Sequence, residues 1–124
     1  MPTVLSNVNE LIDRNMVIEI GEYESTGGRK AKRIGINPAY KYAVGAVITA
    51  NHLEIVLLNM QYEIEKTVRM RLKFSTETSY CLEVAEQVEN FLKDVEDREQ
   101  ILGIGISIPG IIDQENRLVM KSHT

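Results

Sequence analysis

A pair of glycines followed by a dense basic run constrains the fold of this chain most. Gly27 and Gly28 precede residues 29–33, of which four are arginine or lysine. Glycine allows sharp backbone turns, including those that need a positive φ. Apolar residues alternate with other residues in the segments 16–22 and 31–37 on either side. The pattern predicts a β-hairpin with a positively charged tip.

A short helix is predicted immediately before this hairpin. Over residues 2–14 the apolar side chains recur at the spacing of one helix face, and they are Val4, Val8, Leu11 and Ile12. The polar side chains off that face are Thr3, Ser6, Asn7, Glu10 and Asp13. Asn15 should end the helix, since asparagine tolerates the left-handed conformation of a C-terminal cap.

A helix followed by a basic hairpin is the second half of a winged helix-turn-helix, which sets a helix in a DNA groove and a wing on the phosphates. Thr3, Ser6 and Asn7 are therefore the candidate base-reading residues. The candidate phosphate or minor-groove contacts of the wing are Arg29, Lys30 and Lys32. A second interpretation stays open, in which these are merely solvated polar side chains.

The net charge of −4 does not oppose this interpretation, because the charge is unevenly distributed. Residues 1–40 hold five basic and five acidic side chains, whereas residues 41–124 hold nine basic and thirteen acidic ones. Residues 1–40 are therefore neutral overall, and the whole net charge of −4 comes from residues 41–124. A local basic tip is sufficient to contact phosphates.

The rest of the chain predicts three strands, a helix and a further strand. The strands are residues 42–50, 53–60 and 64–74, with turns at Asn51-His52 and at residues 59–62. In the third strand apolar residues alternate with a basic stripe of Arg69, Arg71 and Lys73, which we interpret as a solvated face.

An amphipathic helix is predicted over residues 76–95, with Cys81 on its apolar, core-facing side. Ser75, Thr76 and Thr78 are the possible N-caps, and Glu77 suits the first turn. Residues 101–108 form a continuous apolar run typical of a strand buried on both faces, and residues 111–120 predict a closing hairpin. The order β-β-β-α-β favours an α/β fold in which the last strand joins the sheet after a crossover.

Asn37-Pro38-Ala39 is the candidate domain boundary, because proline has no N–H for a strand ladder. It divides the chain into residues 1–38 and 39–124. Both parts are expected to be incomplete: the first lacks the helices that precede a recognition helix, and a single helix leaves one face of the sheet uncovered. We expect such a chain to associate into dimers or larger species through its exposed apolar surface.

The composition and the distribution of apolar residues argue against membrane-spanning, secreted, disulfide-bonded and zinc-binding proteins. No apolar run approaches the roughly 20 residues of a membrane span, and the N-terminus lacks the basic and apolar regions of a secretory leader. The lone cysteine excludes an internal disulfide, and His52 and His123 are far apart, so a zinc site is not expected. These features favour a cytoplasmic location without membrane association.

Four segments carry a resemblance to a known family: P-T-V at residues 2–4, N-E-L-I at 9–12, G-G-R-K at 27–30 and G-I-G-I-S-I-P-G-I-I-D at 103–113. In this order and spacing the chain resembles the ROK family of bacterial repressors and sugar kinases, and its repressor branch in particular. The resemblance implies a partial winged helix-turn-helix followed by the N-terminal part of an actin-like, ribonuclease H-like ATPase lobe.

The resemblance also implies a function. The expected protein is a DNA-binding transcriptional repressor, a homodimer or higher oligomer that binds a double-stranded operator and responds to a sugar or sugar phosphate. Pro109, Gly110 and Asp113 would lie near the ligand cleft, although a turn-capping role for Asp113 is the favoured alternative. Family motifs for catalysis, sugar contact and zinc lie further downstream, so no cofactor is expected in this chain.

Kinase members of the family open this lobe with a phosphate loop of the form D-x-G-G-T. The corresponding segment here is residues 45–52, G-A-V-I-T-A-N-H, which has neither the aspartate nor the glycine pair. Bulky residues prevent the close backbone approach that cradles phosphate. We therefore expect no enzymatic activity, and the alternatives are a kinase lobe with a degenerate loop or a winged-helix module without a DNA role.

Overall fold

The computed structural model describes residues 2–24, 27–28 and 30–120, and it shows a mixed α/β chain. The helices are α1 (Pro2–Asp13) and α2 (Thr78–Phe91), and single 3-10 turns lie at Leu92–Asp94 and Arg98–Gln100. The strands are β1 (Val17–Glu22), β2 (Lys32–Ile36), β3 (Tyr42–Ile48), β4 (His52–Leu58), β5 (Ile64–Arg71), β6 (Ile101–Ser107), β7 (Ile111–Asp113) and β8 (Leu118–Met120). The predicted order of elements is confirmed.

Helix α1 ends in the left-handed turn that the sequence predicts. Asn15 has a φ of 57°, and its amide donates a 2.9 Å hydrogen bond to the Ile12 carbonyl. The Met16 amide donates to the Leu11 carbonyl at 3.0 Å. This pair of hydrogen bonds is a Schellman motif, which satisfies the last carbonyls of the helix and reverses the chain into β1.

Strands β1 and β2 form the predicted antiparallel hairpin. Val17 lies opposite Ile36 and Glu22 lies opposite Lys32. The register shifts between Glu19 and Gly21, so one extra residue on β1 makes a bulge, and Gly21 has a φ of 141°. The bulge determines which acidic side chains of β1 face Lys30 and Lys32.

The second sheet has the strand order β5-β4-β3-β6. Strands β3, β4 and β5 are an antiparallel meander, and β6 pairs with β3 in parallel after the crossover through α2. The turn between β3 and β4 falls at Ala50-Asn51, one residue earlier than predicted. The reason is that Thr49 and His52 already bond each other, with the Thr49 amide donating to the His52 carbonyl at 2.9 Å.

The core lies between α2 and the β3–β4 part of the sheet. Leu53 and Ile55 of β4 are fully buried. The other buried apolar side chains are Val44, Ala46, Ile48, Leu57, Tyr80, Val84, Val88, Phe91 and Leu92. Part of β5 joins this core through Met70, whereas the side chains of β6 beyond Ile101 do not.

The predicted N-cap of α2 is wrong. The residue at the N-cap is Glu77, in an extended conformation and without a side-chain cap bond. Ser75 instead accepts a 3.1 Å hydrogen bond from the Glu77 amide in the preceding loop. Helix α2 also begins later and ends earlier than residues 76–95, because the chain tightens into a 3-10 turn after Phe91.

Two burial predictions are also wrong. Cys81 is exposed, because the buried stripe of α2 runs through Tyr80, Val84 and Val88, and Cys81 lies about 100° around the helix from Tyr80. Strand β6 is not buried on both faces: it forms the edge of the sheet beyond α2, and Ile104 is 49% exposed.

This contrast between β4 and β6 can be tested with matched isoleucines. Ile55→Ala should lower the free energy of unfolding by about 2–5 kcal/mol, since it leaves a cavity in the core. Ile104→Ala, on the exposed edge strand, should cost less than about 1 kcal/mol. Urea denaturation measures both values, and equal losses would show that α2 does not define the core.

Candidate nucleic-acid interface

One side of α1 presents the three candidate base-reading residues. Thr3, Ser6 and Asn7 are all exposed, with Ser6 and Asn7 adjacent in the first two turns. Val8, Leu11 and Ile12 are partly buried, as their predicted inward face requires. Val4 is 60% exposed, so the predicted apolar face is covered only towards the C-terminal half of the helix.

The two described lysines of the basic run each face a carboxylate. The Lys32 ammonium lies 2.9 Å from a carboxylate oxygen of Glu19, and the Lys30 ammonium lies 3.6 Å from one of Glu22. We call these four residues the ion-pair face of the hairpin. Their side chains are 53–63% exposed, so water and salt reach both pairs. Ion pairs of this kind are weak and exchange readily.

Arg33 lies on the other face of the hairpin. Successive side chains of a strand alternate between faces, which separates Arg33 from Lys32. Its guanidinium lies 5.2 Å from the centre of the Tyr23 ring, within the range of a cation–π contact. Arg29, which the sequence places with the DNA-contacting residues, lies outside the described residues.

Asn37 joins the helix to the hairpin. Its side-chain amide donates a 2.8 Å hydrogen bond to the Asn15 carbonyl, and its backbone amide donates to the Met16 carbonyl at 3.0 Å. Its side-chain oxygen accepts from the Ala39 amide at 3.1 Å. The end of α1, the start of β1 and the end of β2 therefore meet at one residue, whose sequence neighbourhood indicates only a domain boundary.

The β3–β4 turn occupies the position where the resemblance to the ROK family would place the phosphate loop of a kinase. The Thr49 amide donates to the His52 carbonyl, and the His52 amide donates to the Thr49 hydroxyl at 3.1 Å. Both amides are thus engaged within the turn. A phosphate cradle needs several backbone N–H groups that point at the ligand.

The three candidate cleft residues lie at the β7–β8 hairpin: Asp113 is the last residue of β7, and Pro109 and Gly110 immediately precede that strand. Gly110 has a φ of 148°, and a Cβ built there would lie 2.8 Å from the Met120 carbonyl oxygen, so glycine is required for the close approach of the strands. Pro109 is partly buried beside it. These features describe how the hairpin begins, and they leave the cleft role of Pro109 and Gly110 a prediction.

Asp113 caps the turn of this hairpin. One carboxylate oxygen accepts from the backbone amides of Glu115 and Asn116, at 3.0 and 3.2 Å. The other accepts from the Asn116 side-chain amide at 2.9 Å. These hydrogen bonds, first of all the one from the Asn116 side chain, hold the pKa of Asp113 below its usual value. Both oxygens are occupied, so the geometry favours the turn-capping alternative over ligand contact.

The described residues contain no group of three metal-binding side chains that could hold an ion. Over the same part of the chain, neither helix has the length and apolar character needed to cross a bilayer. Arg69, Arg71 and Lys73 are exposed, as expected for a solvated stripe.

Comparison with known proteins finds relatives along almost the whole chain, although no protein-family model matches it. The chain is 27% identical to the xylose repressor of Bacillus subtilis (strain 168) over 123 residues, which are 98% of this chain and 32% of the relative. It is 31% identical to a putative xylose repressor of Caldicellulosiruptor sp. (strain Rt8B.4) over 120 residues, 95% of this chain and 30% of the relative.

A third relative, the xylose repressor of Staphylococcus xylosus, is 29% identical over 119 residues, which are 94% of this chain and 31% of the relative. The chain thus spans about a third of the length of the curated relatives that it matches. All three names denote repressors, and none denotes a kinase.

The capping of Asp113 predicts a pH effect on the β7–β8 hairpin. A carboxyl pKa that folding lowers gives stability that is present above the unfolded pKa and lost as pH falls through the folded pKa. Asn116→Ala should raise the pKa of Asp113 towards the usual value of about 3.9, because it removes the largest cause of the shift. NMR titration measures the pKa of the Asp113 carboxyl in the wild-type protein and in the variant. An unchanged pKa in the variant would contradict the capping role.

Proposed function

We propose that this chain is the DNA-binding portion, together with part of the effector-responsive lobe, of a sugar-responsive transcriptional repressor of the ROK type. One observation carries the proposal: proteins named xylose repressor match 94–98% of the chain. The exposed hydroxyl, amide and ammonium groups of that helix and hairpin have the chemistry that DNA recognition uses.

In this proposal α1 is the recognition helix and the β1–β2 hairpin is the wing. Asn7 can pair with both hydrogen-bonding groups of an adenine edge, and Thr3 and Ser6 can bond bases or phosphates. Lys30 and Lys32 reach the phosphates beside the groove, together with Arg29 of the same run. The hydrogen bonds of Asn37 fix the wing at the end of α1, so both would approach one duplex as a unit.

Residues 39–124 form, in the same proposal, the beginning of an actin-like, ribonuclease H-like lobe. Three antiparallel strands followed by a helix and a parallel strand β6 support that assignment. The lobe would respond to a sugar or sugar phosphate and would assemble as a homodimer or higher oligomer on a two-fold operator. The names of the relatives make xylose the first effector to test.

The kinase alternative has less support. The backbone amides of Thr49 and His52 are bonded inside the β3–β4 turn, which leaves them no free donor for phosphate. The relatives are named as repressors, in agreement with the expectation that the chain is not an enzyme.

The wing can be tested by removing its two described lysines. Lys30→Ala with Lys32→Ala should weaken binding to a labelled DNA duplex and reduce the slope of log affinity against log salt by up to about two. Lys93→Ala, an exposed lysine beyond α2, is the control and should change neither value. Unchanged affinity and slope in the double variant would contradict DNA contact by the wing.

Asn7 should determine sequence preference more than general affinity. On a duplex selected by the wild-type protein from a randomised pool, Asn7→Ala should cost about 1–3 kcal/mol, the value of a bidentate base contact. Binding to unselected duplex should be unaffected, and Asn90→Ala on the exposed side of α2 is the matched control. An equal loss on both duplexes would assign Asn7 to the DNA backbone.

A further inference from the structure

We propose that Glu19 and Glu22 act as internal counter-ions of the wing: they hold its lysines and lower its affinity for phosphates of any sequence. This inference rests on the proposed DNA-binding function and goes beyond it. It assigns to two acidic side chains of β1 a role in limiting non-specific binding.

The ion-pair face gives each lysine its own carboxylate. Lys32 lies 2.9 Å from Glu19, and Lys30 lies 3.6 Å from Glu22. Glu22 stands directly opposite Lys32 in the register, whereas Glu19 reaches Lys32 diagonally from its position opposite Ile34. Two carboxylates thus occupy the side of the hairpin where phosphate oxygens would have to approach the lysines.

The β-bulge is what brings both carboxylates to this face. Glu19 and Glu22 are three residues apart, so a regular strand, with its side chains alternating between faces, would place them on opposite faces. The extra residue between Glu19 and Gly21 shifts the alternation, and Gly21 adopts the positive φ that the bulge needs. The two pairs therefore depend on a specific backbone irregularity and not on sequence spacing alone.

Because both ion pairs are exposed, the glutamates can compete with phosphate for the lysine ammonium groups, and the pairs are not needed to hold the fold together. All four side chains are more than half exposed, and such pairs contribute little to folding. Each glutamate partly neutralises its lysine and competes with phosphate for the ammonium group, so each pair should reduce affinity by about 1.5- to 5-fold. The reduction applies equally to every DNA sequence, because phosphates carry no base identity. Base contacts from α1 would then supply a larger share of the binding free energy at the correct site, while binding to unrelated DNA becomes weaker.

The test compares three glutamate-to-glutamine variants that change the charge identically. Glu19→Gln and Glu22→Gln should each tighten binding to a fluorescein-labelled duplex of random sequence by about 1.5- to 5-fold at about 0.15 M salt. Glu24→Gln is the matched control, since Glu24 is exposed, lies two residues beyond the end of β1 and takes part in no ion pair among the described residues. It should change the affinity by less than about 1.5-fold, because salt screens charges that are not in contact.

Equal tightening in all three variants would overturn the inference, because net charge alone would then explain the effect. Repeating the substitutions in a Lys30→Ala, Lys32→Ala background gives the second arm, in which Glu19→Gln and Glu22→Gln should lose their effect. If the lysine changes weaken binding but the glutamate changes do nothing, this inference fails and the proposed function stands. If the lysine changes leave affinity unaltered, DNA contact by the wing fails and this inference fails with it.

Discussion

The hydrogen bonds of Asn37 are the contact on which the arrangement of helix and hairpin depends. Asn37 bonds the Asn15 carbonyl through its side chain and the Met16 carbonyl through its backbone amide. Asn15 itself holds the left-handed conformation that closes α1. The next residue along, Pro38, accepts a 3.1 Å hydrogen bond from the Met60 amide in the turn between β4 and β5. Backbone hydrogen bonds thus connect the hairpin to both α1 and the larger sheet.

Charge on the hairpin is arranged differently from what a basic run suggests. A run of cations in a sequence indicates a positive surface, but here the antiparallel arm supplies carboxylates to the two described lysines. Local neutrality does not prevent phosphate binding, since exposed pairs exchange readily. It does change the expected balance between phosphate contacts, which give affinity, and base contacts from α1, which give specificity. The proposed repressor needs that balance, because a protein with too much phosphate affinity remains on unrelated DNA.

Local patterns in the sequence predicted the elements but not how their side chains are distributed. Strong periodicity was sufficient for α1, the hairpin and the crossover to β6, and the asparagine cap followed from backbone preference at Asn15. The sequence pattern placed Cys81 on the buried side of α2, because apolar residues also flank the stripe that is actually buried. An apolar run such as 101–108 indicates burial only when another element covers it, and α2 covers β3 and β4 instead.

In the candidate site, too, the elements could be predicted from the sequence, but the contacts between their side chains could not. Sequence alone predicted the exposed polar side of α1 and the lysines at the tip of the hairpin. It missed Glu19 and Glu22, because a regular strand would place them on opposite faces. The isolated Gly21 within the strand pattern is a signal of the bulge that brings them to one face. Sequence alone also missed the role of Asn37, whose side-chain amide bonds the carbonyl of Asn15, 22 residues earlier in the chain. The assignment of the β7–β8 hairpin to a ligand cleft came from resemblance alone, and the hydrogen bonds of Asp113 favour a local role.

The most direct test of the account is to map the DNA-binding surface residue by residue. Backbone amide chemical shifts recorded with and without a DNA duplex should change along α1 and the β1–β2 hairpin, with the largest changes near Ser6, Asn7, Lys30 and Lys32. Amides of α2 and of the β7–β8 hairpin should remain unchanged. Changes confined to the basic stripe of Arg69, Arg71 and Lys73, or an absence of changes in α1 and the wing, would contradict the account.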